Sequence, residues 1–295
     1  MVHSDTFLEA LTERSLQKYT NEDTRMDNRI GFIGGGQMGE ALVRGIIKSG
    51  LYAPEAISVT EPNPTRRQYI TSTYGVQGFE ESATLWETCT TIILAVKPQI
   101  MDIVLAASKK LAGPQHLIIS IAAGLPISFY EQGLGRDDCK IIRVMPNTPA
   151  LVLEGASALS GNKNVKKNDL QRGEEIFNKV GKVVILPEQA LDAVTGLSGS
   201  GPAYVFTFAE AMIDAGVESG LTRPVAETLA LQTILGSVKL LMESNKHPAE
   251  LRAMVTSPGG TTIAAQHVLE RSGFRGIVMD AIAAAVNRST ELGKR

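Results

Sequence analysis

A chain of 295 residues that is 43% hydrophobic and 20% charged is a globular composition, long enough for two domains of ordinary size. A formal net charge of −2, with no long Lys/Arg run, excludes the chain-wide basic field that draws in nucleic acid. Two cysteines, Cys89 and Cys139, lack metal-ligand spacing and read as free thiols of a reducing compartment, so no metal is expected. The longest apolar run, residues 117–127, is broken by Ser120, Gly124 and Pro126 and falls short of the ~20 residues a bilayer span needs. The N-terminus lacks the charged and apolar regions of a secretory signal. The expectation is a soluble, cytoplasmic protein with neither nucleic-acid nor membrane partners.

Residues 1–28 form an N-terminal extension. A short amphipathic stretch over 8–19 turns polar at Asn21-Glu22-Asp23. It reads either as a dispensable segment before Met26 or as a helix that docks on the core or on another subunit. Strand-like runs then follow at Ile30–Ile33, 56–59, 91–96, 117–121 and 141–145. Helical stretches at 40–49, 65–73 and 99–111 lie between them, and short strands at 157–159 and 183–186 flank a helix near 168–180. This alternation predicts an α/β domain over 29–187, a parallel sheet covered by helices on both faces. After Pro187 the pattern becomes helical, at 202–217, 224–244, 261–271 and 274–292, with Pro202, Pro224 and Pro248 at first-turn positions. Helices 202–217 and 225–242 are apolar on more than one face and need burial. A domain of about 110 residues has little interior for two of them, so the region 188–295 is expected to build an intertwined homodimer.

Gly34, Gly36 and Gly39 fall between the first strand and the first helix, the required context for a G-x-G-x-x-G dinucleotide loop. Gly34 permits the tight turn, Gly36 lets the backbone approach a pyrophosphate, and Gly39 lets helix and strand pack closely. The helix N-terminus favours the phosphates. At the end of the second strand Glu61 suits a ribose 2′-hydroxyl and hence NAD, whereas Arg66 and Arg67 suit the 2′-phosphate of NADP or face solvent. Lys97, at a strand end, reads either as a contact for a phosphate or carboxylate or as a solvated charge before Pro98.

Four further blocks are specific. They are Ala95-Val96-Lys97-Pro98, Arg143-Val144-Met145-Pro146-Asn147-Thr148-Pro149, Thr195-Gly196-Leu197-Ser198-Gly199-Ser200-Gly201-Pro202-Ala203-Tyr204 and Val255-Thr256-Ser257-Pro258-Gly259-Gly260-Thr261-Thr262. With the glycine loop they resemble pyrroline-5-carboxylate reductase from about residue 30 to 292. The resemblance implies reduction of L-1-pyrroline-5-carboxylate to L-proline by a reduced nicotinamide cofactor, NADP by family default. It also implies a Rossmann-type domain followed by an all-α dimerisation domain, with dimers often assembled into decamers. Carried over by position, Gly36, Gln37 and Met38 contact the pyrophosphate. Ala95, Val96, Lys97, Pro98, Ala122, Ala123 and Asn147 line the cofactor cleft. Ser257, Gly260, Thr261 and Thr262 hold the substrate from the other subunit, and Glu188 matches a position near it. Family members often carry Ser, Asn or Arg where Glu61 stands, so Glu61 departs from NADPH use and admits NAD.

A small cyclic imine bearing a carboxylate needs an anion pocket and a polar contact for its nitrogen. The segment 257–262 supplies glycine backbone N–H groups, three hydroxyls and a following helix N-terminus; the competing reading is an N-cap alone. His3, His116, His247 and His267 read as surface or packing residues, not general acids. Thr262 is the expected catalytic contact, as partner of the ring nitrogen. Two other readings compete. A β-hydroxyacid dehydrogenase would need a proton-transferring lysine, and Lys239 and Lys246 lack a supporting constellation. A non-catalytic dinucleotide sensor has no need of the 257–262 loop.

Overall fold

The computed structural model describes residues 29–293, so the extension 1–28 and the roles expected for it lie outside the described residues. Two compact units follow one another, the first ending at Leu191 and the second beginning at Asp192.

The first unit is the α/β layer. In chain order it runs β1 (Ile30–Ile33), α1 (Gln37–Lys48), β2 (Ile57–Thr60), α2 (Pro64–Tyr74), β3 (Gln77–Phe79), α3 (Ala83–Thr88), β4 (Thr91–Leu94), α4 (Met101–Ser108), β5 (Leu117–Ser120), α5 (Ile127–Leu134), β6 (Lys140–Met145), β7 (Gly155–Gly161), α6 (Lys167–Phe177) and β8 (Gly181–Ile185). Strands β1, β2, β4 and β5 are buried at every position, as strands covered on both faces must be. Side chains alternate across the sheet. On one face Phe32, Val59, Ile93, Ile119 and Ile142 pack with Leu42 and Ile46 of α1 and Phe177 of α6. On the other, Ile92, Leu94, Ile118 and Ile141 pack with Trp86 of α3, Leu105 of α4 and Tyr130 of α5.

The strand order is β3-β2-β1-β4-β5-β6-β7-β8. Pairing is parallel except between β6 and β7, which run antiparallel. The segment 146–154, with its 3₁₀ turn Thr148–Val152, is too short for the crossover helix a parallel step demands. The β3, α3 and α5 elements are absent from the sequence reading. Each is brief, and β3 contains Gly78, so none carries enough turns or alternations to show a period. The order reverses direction between β1 and β4, which opens a crevice beyond their carboxyl ends.

In the second unit, α7 (Leu191–Val194) runs into a π-helical turn over Thr195–Gly199. Then come α8 (Gly201–Glu218), α9 (Arg223–Ser244), α10 (Pro248–Met254), α11 (Thr261–Arg271) and α12 (Phe274–Leu292). The 195–204 block is built into this packing. A Cβ on Gly196 would stand 2.5 Å from Val286 and 3.0 Å from the Ile282 carbonyl, and Tyr204 donates to the Gly196 carbonyl at 3.1 Å. Within this unit Asp192 accepts from Ser289 at 2.7 Å and Thr290 at 3.0 Å.

Helix α9 buries only Ala226 and Ala230, while Leu231, Leu235, Val238 and Met242 stand exposed. By length and composition it is apolar enough to cross a bilayer, with a mean hydropathy of 1.3 over its best window, and it is the one such helix among the described residues. It is no uninterrupted apolar run of the kind the sequence reading looked for. Glu227 and Lys239 interrupt the apolar run without lowering its average enough.

Candidate active site

The glycine loop sits at the β1/β4 crevice, and each glycine meets a different constraint. Gly34 has φ +108°, and a Cβ there would lie 2.7 Å from the Ala95 carbonyl. A Cβ on Gly39 would lie 2.6 Å from the Gly34 carbonyl, so α1 rests directly on the turn. Gly36 is the reverse case: its Cβ position has nothing within 4 Å. Two glycines are therefore needed by the protein's own packing, and the third holds space open. Helix α1 begins at Gln37, three residues before the start expected from periodicity, with Gly36 as N-cap and no side chain capping it. Its first N–H groups thus face the loop, the arrangement that receives phosphates.

A cavity of about 1150 Å³ extends from this loop. Its wall includes Gly34, Gly36, Gln37, Met38 and Glu61 on the β1/β2 side, Ala95, Val96, Lys97 and Pro98 after β4, and Ala122 and Ala123 after β5. The structure thus gathers nearly all the expected cofactor residues into one cleft. Gly39 acts from behind the wall, through packing. Asn147 is not on the wall: its Oδ1 accepts from the Ala156 N–H at 2.8 Å and ties β7 to the end of β6, while Pro146 and Thr148 face the cavity. Lys97 is exposed, as N-cap of the 3₁₀ turn Pro98–Ile100.

Glu61 caps the strand end. Its Oε2 accepts from the Gly35 N–H at 3.1 Å and its Oε1 from the Asn63 N–H at 3.0 Å. Asn63 in turn caps α2 by accepting from the Arg66 N–H at 3.0 Å. Beside Glu61 the wall carries Glu80 and Glu81, which sequence reasoning missed because they follow the unrecognised β3. The hydroxyl of Thr60, 5% exposed at the same wall, finds no hydrogen-bond partner among the described residues.

Glu188 stands on the turn Glu188–Ala190 after β8. Its Oε1 accepts from the Ile127 N–H at 2.7 Å and pairs with Arg143 at 3.1 Å. Arg143 is almost wholly buried in β6, so Glu188 satisfies a charge that would be costly left alone. Nearby, Ser120 donates to the Tyr130 oxygen at 2.6 Å, and burial pushes the Tyr130 phenol up to about 12.

The second unit holds the other expected set. Gly259 has φ +66°, and the Gly260 N–H donates to the Ser257 carbonyl at 3.1 Å, closing the turn that starts α11. Gly260 is the N-cap without a side-chain cap, Thr262 is half-buried, and Ser257 and Thr261 are exposed. An uncapped helix start fringed by hydroxyls is suited to a carboxylate.

The sheet's reversal point, the glycine cradle and the uncapped start of α1 define a Rossmann-type, NAD(P)-dependent oxidoreductase. A family model described as pyrroline-5-carboxylate reductase dimerisation matches residues 188–292, and one described as NADP oxidoreductase, coenzyme F420-dependent, matches 29–124. A pyrroline-5-carboxylate reductase of Synechocystis is 47% identical over 92% of this chain and all of its own length. One of Arabidopsis thaliana is 40% identical over 90% of this chain and 96% of its own. Among solved structures, the Coxiella burnetii reductase is 37% identical with TM-score 0.86, covering 91% of this chain and 99% of its own. The Plasmodium falciparum reductase, solved with NADP bound, is 37% identical with TM-score 0.80, covering 90% and 98%. The chain belongs to the pyrroline-5-carboxylate reductase family.

Proposed function

We propose that this chain reduces L-1-pyrroline-5-carboxylate to L-proline, the last step of proline biosynthesis. The observation that carries the reading is the cradle at 34–39, whose central glycine opens on the cleft while its neighbours are locked by backbone contacts. Gly36, Gln37 and Met38 take the pyrophosphate, with the α1 N-terminus behind them. The strand ends 95–98, with Ala122 and Ala123, shape the nicotinamide end, and Asn147 supports it from behind by tying β7 to the end of β6. A bound reduced nicotinamide supplies the hydride for the imine carbon. The family default is NADP, and Glu61 at the ribose end admits NAD.

The protein's own share of the chemistry is position and electrostatics. Ser257, Gly260 and Thr261 hold the substrate carboxylate with hydroxyls and backbone N–H groups. Thr262 keeps the protonated ring nitrogen in place by accepting its hydrogen bond. Glu188 contributes by holding Arg143 and the start of α5, beneath the end of the sheet that carries Ala122 and Ala123. The buried free thiols Cys89 and Cys139 suit the cytoplasm. The exposed apolar faces of α9 support a homodimer, with decamers as its further assembly.

Purified protein mixed with pyrroline-5-carboxylate and either reduced dinucleotide should consume the cofactor, read as falling absorbance, and yield proline. No oxidation of either cofactor would sink the proposal.

A further inference from the structure

Two arginines stand in the first turns of α2, where a dinucleotide enzyme that grips a 2′-phosphate commonly keeps its cation. Neither lines the cleft. The Nε of Arg66 donates to the Gly35 carbonyl at 2.7 Å, its Nη2 is paired with Glu40, and its guanidinium lies over the Tyr69 ring, 5.1 Å from the centroid. Glu40 is held just as firmly, accepting from the Tyr74 hydroxyl at 2.7 Å and the Tyr69 hydroxyl at 3.2 Å. Arg67 turns back on the chain, with Nη1 on the Glu61 and Pro62 carbonyls and Nη2 3.5 Å from Glu80. The ribose end of the cleft is thus walled by the carboxylates Glu61, Glu80 and Glu81, with Arg66 drawn onto Gly35 and Glu40 and Arg67 engaged from behind by backbone carbonyls and Glu80.

We propose that this chain prefers NADH over NADPH, and that Glu40 enforces the preference as a positioning residue by holding Arg66 against the Gly35 carbonyl, leaving Glu61, Glu80 and Glu81 to meet the 2′ position. A 2′-phosphate adds close to two negative charges at neutral pH, and like charges brought together in a binding site are strongly disfavoured. A 2′-hydroxyl adds none and can donate to Glu61. The preference therefore comes from redirecting arginines that are present, not from lacking them. The inference rests on the cleft being a nicotinamide dinucleotide site, as proposed above.

The test measures Kd for NADH and NADPH by cofactor fluorescence, without substrate, in the wild type, Glu40→Gln, Arg66→Ala and the double variant, with the melting temperature as a check on folding. The wild type should bind NADH about tenfold or more tighter. Glu40→Gln should narrow that ratio about tenfold, mainly through NADPH, and the double variant should restore it. Arg66→Ala alone should leave the ratio within about twofold, since a cation facing away contributes nothing to either nucleotide's discrimination. An NADPH-preferring wild type overturns the proposal, as does a folded Glu40→Gln with an unchanged ratio. If Glu40→Gln fails to fold, Arg66→Ala decides: a selective loss of NADPH affinity shows that Arg66 grips the phosphate and ends the idea. Binding with this pattern but no turnover on pyrroline-5-carboxylate would leave the lock standing and remove the assigned reaction.

Discussion

Thr262 and His116 show how differently a polar residue serves this chain. Thr262 is half-buried in the first turn of α11, within reach of the uncapped N–H groups that begin that helix. If its hydroxyl holds the charged ring nitrogen, Thr262→Ala should lower kcat about ten- to hundredfold, the cost of one hydrogen bond to a charged group. Cofactor Kd should stay within about twofold, because that contact belongs to the substrate. Steady-state rates beside a direct cofactor titration separate the two, and unchanged turnover would remove Thr262 from the mechanism.

His116, by contrast, belongs to the core. Its Nδ1 accepts from the Gly113 N–H at 3.0 Å, which leaves Nε2–H to donate to the Trp86 carbonyl at 2.8 Å. The ring is neutral in that arrangement, and burial lowers its pKa below the ordinary value despite those backbone contacts. The unfolded chain therefore binds a proton more readily than the folded one as pH falls below about 6.5. Stability should be full above that pH and decline beneath it. Melting temperatures across pH 5 to 8 would read the slope, roughly the span where histidine titrates, and His116→Gln should flatten it; an unaltered slope would acquit His116. Glu40 is also held below its ordinary value, though because the fold favours its charged form, so its contribution too is lost as pH falls. Burial pushes its carboxyl up, but hydrogen bonds from Tyr74 and Arg66 outweigh that and hold it below the usual range, while burial and Glu40 together push Tyr74 up to about 12.

At the scale of elements, the β1–α1 turn separates packing from binding within one motif. Gly39→Ala would thrust a Cβ into the Gly34 carbonyl, a backbone atom that cannot swing aside. It should cost about 1–3 kcal/mol of stability and weaken cofactor binding. Gly36→Ala places its Cβ in open space at φ −67°, which alanine accepts readily. That variant should melt at the wild-type temperature yet bind cofactor at least about tenfold more weakly, since the methyl group occupies the approach to the pyrophosphate. Thermal melts and cofactor titrations on the pair test this directly, and equal affinity in Gly36→Ala and wild type would contradict the cradle. The main elements were legible because their burial is periodic or continuous over several residues, as in β1 and α1. Strand β3 and helices α3 and α5 were not, and with them went Glu80 and Glu81, whose place on the cleft wall depends on where a three-residue strand joins the sheet edge.

For the whole molecule, the second unit is the incomplete part. Along α9, Leu231, Leu235, Val238 and Met242 recur at helical spacing and stand exposed. A continuous apolar face of this kind suits an interface, and the dimerisation family model over 188–292 supports the homodimer proposed above. Leu235→Glu should shift the protein from dimer to monomer in size-exclusion chromatography with light scattering, because a carboxylate buried at an interface has no partner to offset its desolvation. A variant that stays dimeric would place the interface on other helices.

The sequence by itself determined the two-unit order, an α/β sheet that is parallel but for the β6–β7 step, the glycine cradle and the 257–262 turn. Each is encoded within a few consecutive residues: strand burial, glycine spacing, a proline or glycine at a helix start. Tertiary structure alone decided which way the long charged side chains point. Arg66 meets a carboxylate 26 residues away on α1, Glu188 reaches Arg143 across 45 residues, and Asn147 is spent on the backbone of β7. A guanidinium or carboxylate at the end of several rotatable bonds takes its direction from whatever partner folding brings within reach, and no local pattern records that partner.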